Sequence, residues 1–397
     1  MILPSPDNTM PSTHSPAVAT TLPLAGITVV EIGQNIAAPS ATQILGDLGA
    51  RVVKVEKPKG DDARAWGPPF WEGAATMFQA VNRNKLSITL NFRDPAEVAA
   101  LRRFILAEAD VVIQSMRPGL LKEQGLDADD LRQDKPALIW CDLGAFGSVG
   151  PLSRHPGYDP LMQAFGGLMS VTGEVGQAPV RTGYSVVDSG TGMWASNAIL
   201  AALFQRERNG QGCQIDVSLL ETALSWMTVA AAGYQSSGEI PQRFGSGAAS
   251  IAPYRAYATQ DGHVVVAAGN DGLFQRLAQL LEHPEWLDDP RFAGNAQRVQ
   301  NRVALDALIG DILAGQTTAA WCERLEAAGV PNAPVQNVAE ALAHPQTQAL
   351  GIVQPVPESD MAFIGLPIRF DGMRPPIRSA PPALNAHGHL LDPYRQG

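Results

Sequence analysis

The sequence predicts an α/β fold, a large domain built on a parallel sheet followed by a smaller α+β domain. Short β-branched runs alternate with helical patterns from Leu24 to Cys141, and a hairpin pattern followed by helices occupies residues 253–330. The 397 residues leave room for two or three domains.

The alternation starts at Gly26-Ile-Thr-Val-Val-Glu-Ile-Gly33, a β-branched run closed by glycine that reads as a buried strand. Pro39 to Gly49 follows with Ala41, Ile44, Leu45 and Leu48 at helical spacing and Gly49 as the stop. Ala50 to Glu56 is the second strand. Asp94-Pro95, an N-cap before proline at the first helical position, opens a helix to about Glu108. Asp110 to Gln114 and Ala137 to Cys141 are further strands. Strands separated by helices make a parallel, Rossmann-like sheet whose ligands gather at the strands' carboxyl ends.

Residues 190–232 read as two helices interrupted by Arg208-Asn-Gly-Gln-Gly212, the second apolar nearly all round from Asp216 to Ala232 and so buried in a core or interface. Tyr254 to Gln260, a turn at Asp261-Gly262, and His263 to Ala267 form a hairpin. The expected division is a disordered leader over 1–22, a large domain over 23–212, and a helical linker with a glycine loop over 213–252. The small domain then covers 253–330, and a Pro-rich stretch over 331–397 returns to the large domain.

Charge and motifs narrow the chemistry. A net charge of −10 argues against nucleic acid as a partner. No stretch approaches the roughly 20 apolar residues of a membrane helix. The leader lacks the features of a signal or transit peptide, and three scattered cysteines without a CxxC pair suit a reducing cytoplasm. Cys141 reads as a buried structural thiol. Gly33-Gln-Asn-Ile-Ala-Ala-Pro39 is not a dinucleotide fingerprint, no GxxxxGK[ST] or HExxH occurs, and the seven histidines do not cluster as metal ligands.

One acid stands out, in Pro156-Gly-Tyr-Asp-Pro-Leu-Met-Gln-Ala-Phe-Gly-Gly167. Asp159 before a proline reads either as an ordinary N-cap or as a carboxylate whose anionic form a helix N-terminus favours.

Taken together, Gly46-Asp-Leu-Gly-Ala-Arg-Val-Val-Lys-Val-Glu56, Gly60-Asp61 with Arg64, Asn82-Arg-Asn-Lys-Leu-Ser87, Arg117-Pro-Gly119, Gly157-Tyr-Asp159, Asp188 with Gly192, Arg208 to Gly212 and Gly329-Val-Pro331 form an ordered series. In order and spacing it resembles the class III CoA-transferases, the family of formyl-CoA transferase and carnitine CoA-transferase, from Leu24 to about Arg378. The resemblance implies an interlocked homodimer of two-domain chains and Asp159 as covalent nucleophile. It also implies acyl-CoA and a free carboxylic acid as substrates, with no tightly bound cofactor and no metal. Gln34, Ile36 and Ala37 map to the family's oxyanion loop, where the family often carries Gln and Ala. Lys57, Leu90, Ser115, Met116, Arg117 and Lys122 map to its CoA neighbourhood.

Gly245 and Gly247, in Arg243-Phe-Gly-Ser-Gly-Ala-Ala-Ser250, map to the glycine loop that the family folds over the intermediate; related sequences often place a histidine near Ala248. Gly60 to Phe70, Asn82 to Lys85 and Ala268-Gly-Asn270 are most similar to the succinyl-CoA:glutarate branch, with Arg83 facing the acceptor's distal carboxylate. Two other readings stand beside transfer: an acyl-CoA racemase on the same fold and an inactive CoA-binding protein. Racemases of the family usually have His directly before the aspartate, where this chain has Tyr158.

Overall fold

The computed structural model describes residues 22–395, so the leader expected over 1–22 lies outside the described residues apart from Leu22. Six parallel strands form the principal sheet: β1 (Thr28–Ile32), β2 (Arg51–Glu56), β3 (Lys85–Thr89), β4 (Val111–Gln114), β5 (Ile139–Gly144) and β6 (Gln214–Ser218). Their order is β3-β2-β1-β4-β5-β6, with Val29 in register with Val52 on one side and Val111 on the other. The order reverses between β1 and β4, which makes the carboxyl ends of those two strands the topological switch point where such sheets bind ligands.

Both faces of the sheet are covered, which is why its central strands are apolar without strict alternation. On one face Val29, Val52, Val111 and Ile139 pack beneath helices α1 (Ala37–Asp47) and α4 (Val186–Asn209). On the other, Val30, Val53, Val112 and Trp140 pack with Phe104 of α2 (Pro95–Glu108) and with Leu391. Leu391 belongs to a C-terminal segment that returns to this sheet. The backbone N–H groups of Arg378 and Ser379 donate to Asn84 Oδ1 at 2.7 and 3.0 Å, and Tyr394 donates its hydroxyl to Glu108 at 2.8 Å.

The segment expected to be wholly helical from Asp216 is instead strand first. Ile215 and Val217 alternate with polar neighbours, and Gln214–Ser218 pairs with β5 as the sixth strand. The first sheet therefore continues past the expected boundary at 212. Two short helices follow, α5 (Leu219–Trp226) and α6 (Thr228–Ser237), whose outward side chains Leu224, Trp226, Val229 and Tyr234 are exposed in the single chain.

The hairpin forms as expected: β7 (Tyr254–Ala258) pairs antiparallel with β8 (His263–Ala267), and Asn332–Pro334 adds a third strand. A separate core of Val264, Val266, Phe274 and Trp321 lies behind this sheet.

Candidate active site

Asp159 opens the seven-residue helix α3 (Asp159–Phe165), but it does not cap that helix; Tyr158 holds the N-cap position without a side-chain bond. The carboxylate instead reaches the start of α4. Its Oδ2 accepts the N–H groups of Val187 at 2.8 Å and Asp188 at 3.2 Å, while Oδ1 accepts Gln163 Nε2 at 2.5 Å. Gln163 is fixed in turn, its Oε1 accepting the Thr182 N–H at 2.9 Å. Only 1% of Asp159 is exposed, so the anion is held by the dipole and first-turn donors of a 24-residue helix rather than by water.

The loop after β1 is held by buried charge. Asn35 has φ +71°, a conformation that side chains other than glycine adopt rarely, and both Asp61 oxygens accept its N–H at 3.1 Å. Lys54 Nζ, fully buried, bonds the Gly33 carbonyl at 3.1 Å, Glu31 at 2.7 Å and Asp61 at 2.9 Å. Burial pushes the Glu31 carboxyl up, but the ammonium groups of Lys54 and Lys85 outweigh it and hold the pKa at about 2. The buried ion pairs thus fix two successive peptide units between Gly33 and Asn35. No side chain caps α1, so its first turn presents unsatisfied N–H groups at Ala37.

The Asp159 anchor and the Gln34–Ala37 loop meet along α4. A Cβ at Gly192 would lie 2.9 Å from the Ala37 carbonyl oxygen, so glycine there permits α1 to touch α4 backbone to backbone. Gly192 is four residues from Asp188, about 6 Å along the helix.

The expected CoA segment leaves β4 at the switch point. Ser115 approaches the β1 loop closely enough that a Cβ at Gly33 would sit 2.9 Å from its hydroxyl. Met116, Arg117 and Lys122 line a cavity of about 340 Å³ together with Asp142 and Arg154. Lys57 is exposed and pairs with Asp62 at 2.6 Å. Leu90 is 1% exposed, its side chain belongs to the core, and its N–H donates to the Glu56 carbonyl at 2.8 Å.

Arg83, expected to face the acceptor's distal carboxylate, is buried in the single chain, and its Nε and Nη2 bind the two oxygens of Asp47 at 3.1 and 2.7 Å. That pair ties α1 to the segment before β3. Gly245 and Gly247 sit where the chain crosses from α6 towards β7. Gly245 has φ +59° and donates to the Gly173 carbonyl at 2.9 Å, and Arg302 binds the carbonyls of Ala248 and Ala249. Among the described residues no hydrogen bond joins this loop to Asp159 within one chain.

Two functional candidates escaped the sequence reading. Gln163 was visible as the i+4 neighbour of Asp159 on a helix. Asp188 was visible only as a family position; burial and then the charge of Asp159 push its carboxyl up to about 7. Burial likewise pushes the Cys141 thiol up, which suits a structural thiol. Among the described residues no group of three or more His, Cys, Asp or Glu could hold a metal, and no helix is long and apolar enough to cross a membrane.

The sequence profile of CoA-transferase family III matches residues 24–388. Succinyl-CoA:glutarate CoA-transferase of Mus musculus is 37% identical over 374 residues, covering 93% of this chain and 86% of that protein. Succinate–glutarate CoA-transferase of Agrobacterium fabrum is 38% identical over 367 residues, covering 89% of each. A crystal structure of a CAIB/BAIF family protein from Brucella suis matches with a TM-score of 0.85 at 39% identity, over 95% of this chain and all of that one.

Proposed function

Because the chain belongs to CoA-transferase family III, we propose that it moves CoA from succinyl-CoA to a short dicarboxylate such as glutarate, through covalent intermediates on Asp159. The observation that carries this reading is the Asp159 carboxylate, buried yet supported on both oxygens by Val187, Asp188 and Gln163. The substrates follow the names of relatives that are 37% and 38% identical.

A carboxylate held at contact distance and shielded from water is competent to attack a thioester. Asp159 adds to the acyl carbonyl, the C–S bond breaks with its electron pair leaving on sulfur, and a mixed aspartyl anhydride and free CoA result. The sulfur attacks the aspartyl carbonyl, releasing the first acid as carboxylate and leaving an aspartyl-CoA thioester. The acceptor carboxylate attacks this thioester to form a second anhydride, and CoA returns to the acceptor's acyl carbon. Asp159 is regenerated. The bonds exchanged are similar in energy, so no ATP, metal or tightly bound cofactor enters the cycle.

The uncapped N–H groups at the start of α1, beside Gln34, Ile36 and Ala37, serve as oxyanion donors, each worth about 3 kcal/mol. Ile36 offers no polar side chain, so backbone carries this role. Met116, Arg117 and Lys122 receive the CoA nucleotide in their cavity, and the family resemblance assigns Ser115, Lys57 and Leu90 to the same neighbourhood. Gly245 and Gly247 belong to the loop that excludes water from the anhydride.

The working unit is an interlocked homodimer in the cytoplasm. Tyr158, Leu161, Phe165, Trp194, Phe204 and Trp226 are large apolar side chains exposed in the single chain, which a partner copy would cover.

A donor-by-acceptor matrix with purified protein tests the reading. Succinyl-CoA with glutarate is expected to exchange CoA, and Asp159→Ala to be inactive. Preference for oxalate, formate and carnitine over both succinate and glutarate overturns the substrate assignment, and full activity of Asp159→Ala overturns the chemistry.

A further inference from the structure

Asp188 stands in the first turn of α4, beside the nucleophile. Its N–H is one of the donors to Asp159 Oδ2, at 3.2 Å. It shares a face of α4 with Gly192, four residues on, and that face meets α1 at Ala37, where the oxyanion loop ends. Asp188 is half-buried, and its carboxyl has no hydrogen-bonding or ionic partner among the described residues. A polar group so placed beside a nucleophile, without an internal partner, is available to a substrate.

The charged groups around it explain which form it takes. The elements packed on α4 bring Asp159 from α3, Glu221 from α5, Asp47 from α1, Asp142 from β5 and Asp216 from β6. Glu221 accepts the Ser218 hydroxyl, Asp47 is neutralised by Arg83, and Asp142 is bonded by Trp140, Gln114 and Gln214. Tyr184, in the preceding segment, shares its hydroxyl with Ser189. Of these, only Asp159 acts on Asp188, and no cation offsets it.

We propose that Asp188 is a second catalytic residue, a proton donor and acceptor for the CoA sulfur, working beside the nucleophile Asp159. The proposal rests on the reading of Asp159 as nucleophile and deepens it. In the free enzyme burial, and then the neighbouring Asp159 carboxylate, favour the protonated form of Asp188. As Asp159 attacks, the C–S electron pair leaves on sulfur and Asp188 gives that sulfur its proton, so CoA departs as thiol and Asp188 becomes the carboxylate.

Anhydride formation removes the charge on Asp159, which is what makes Asp188 ready to ionise at that moment. When the thiol sulfur attacks the aspartyl carbonyl, Asp188 takes the proton back and the first acid leaves as carboxylate. The second half-cycle repeats the exchange. Protons and charge balance at each step without another reactant.

The test is kcat/KM for succinyl-CoA against pH in the wild type, Asp188→Asn and Asp188→Ser, with mass-spectrometric detection of hydroxylamine-trapped Asp159. Burial and Asp159 place the Asp188 carboxyl at about 7, so wild-type kcat/KM is expected to fall as pH rises through that value. The neutral variants are expected to lose this descent, to run roughly 100-fold slower at acidic pH, and still to form the Asp159 adduct. A wild-type profile flat from about pH 6 to 9 overturns the proposal, and needs no variant to fold. So does an alkaline descent that persists in a folded neutral variant. Absence of any Asp159 adduct in the wild type rejects the underlying nucleophile reading instead, which separates the two failures.

Discussion

The Asp159 carboxylate accepts the backbone N–H of Val187 at 2.8 Å, so a residue at the start of one short helix closes the open end of another, much longer one. Local sequence suggested that Asp159 capped its own helix. The cap exists, but across 28 residues, and it leaves the side chain pinned with Oδ1 bonded only by Gln163. A free lone pair on a fixed oxygen is what attack on a thioester requires.

Gln163 is the positioning residue on that oxygen. Gln163→Leu removes the 2.5 Å bond and also orphans the Thr182 N–H. kcat is expected to fall by roughly 10- to 100-fold with KM for succinyl-CoA changed little, because orientation rather than binding is lost. Steady-state kinetics check it; an unchanged kcat contradicts it.

Gly192 sets the distance between the loop at Ala37 and the anchor at Asp188. A Cβ there would meet backbone at 2.9 Å, which cannot rotate away. Gly192→Ala is expected to cost about 1–3 kcal/mol of stability and to lower kcat. Urea unfolding and activity measured on the same preparation read both effects.

Arg83 and Asp47 form a buried pair whose side chains are 5% and 3% exposed. Arg83→Met leaves the buried Asp47 carboxylate without its cation, with only the Asn84 amide bond at 2.7 Å among the described residues, and is expected to destabilise the protein by about 3–5 kcal/mol. KM for glutarate is expected to stay near the wild-type value in whatever fraction folds. A large rise in that KM alone, with stability intact, would place Arg83 at the acceptor site.

Asp188 ties stability to pH. Its carboxyl is pushed from the ordinary 3.8 to about 7, so the folded state binds more protons than the unfolded state between those values. Stability therefore falls as pH rises through that window. Asp188→Asn is expected to be more stable than wild type above about pH 7, by up to about 4 kcal/mol, and to converge with it near pH 4. Thermal melts across pH check the sign.

What could be read from sequence follows from physical signal strength. The strands at Thr28–Ile32, Val111–Gln114 and Ile139–Gly144 are buried on both faces and announced themselves as apolar runs. Lys85–Thr89 did not, because Lys85 and Ser87 fill buried positions with partners Glu31 and Glu56 that only the fold supplies. Gln214–Ser218 is an edge strand with a short alternating pattern, and the apolar helices after it masked that pattern.

At the site, the family pattern singled out Asp159. The pairing with Asp188 depends on how α3 packs against α4, and the neutralisation of Arg83 on a contact across 36 residues. Neither leaves a local trace.

The most direct test of the account is to mix the protein with succinyl-CoA, quench with hydroxylamine, and map the modified peptide by mass spectrometry. The account predicts a hydroxamate at Asp159 in the wild type and none in Asp159→Ala. An unmodified Asp159 under turnover, or a hydroxamate on another residue, would contradict it.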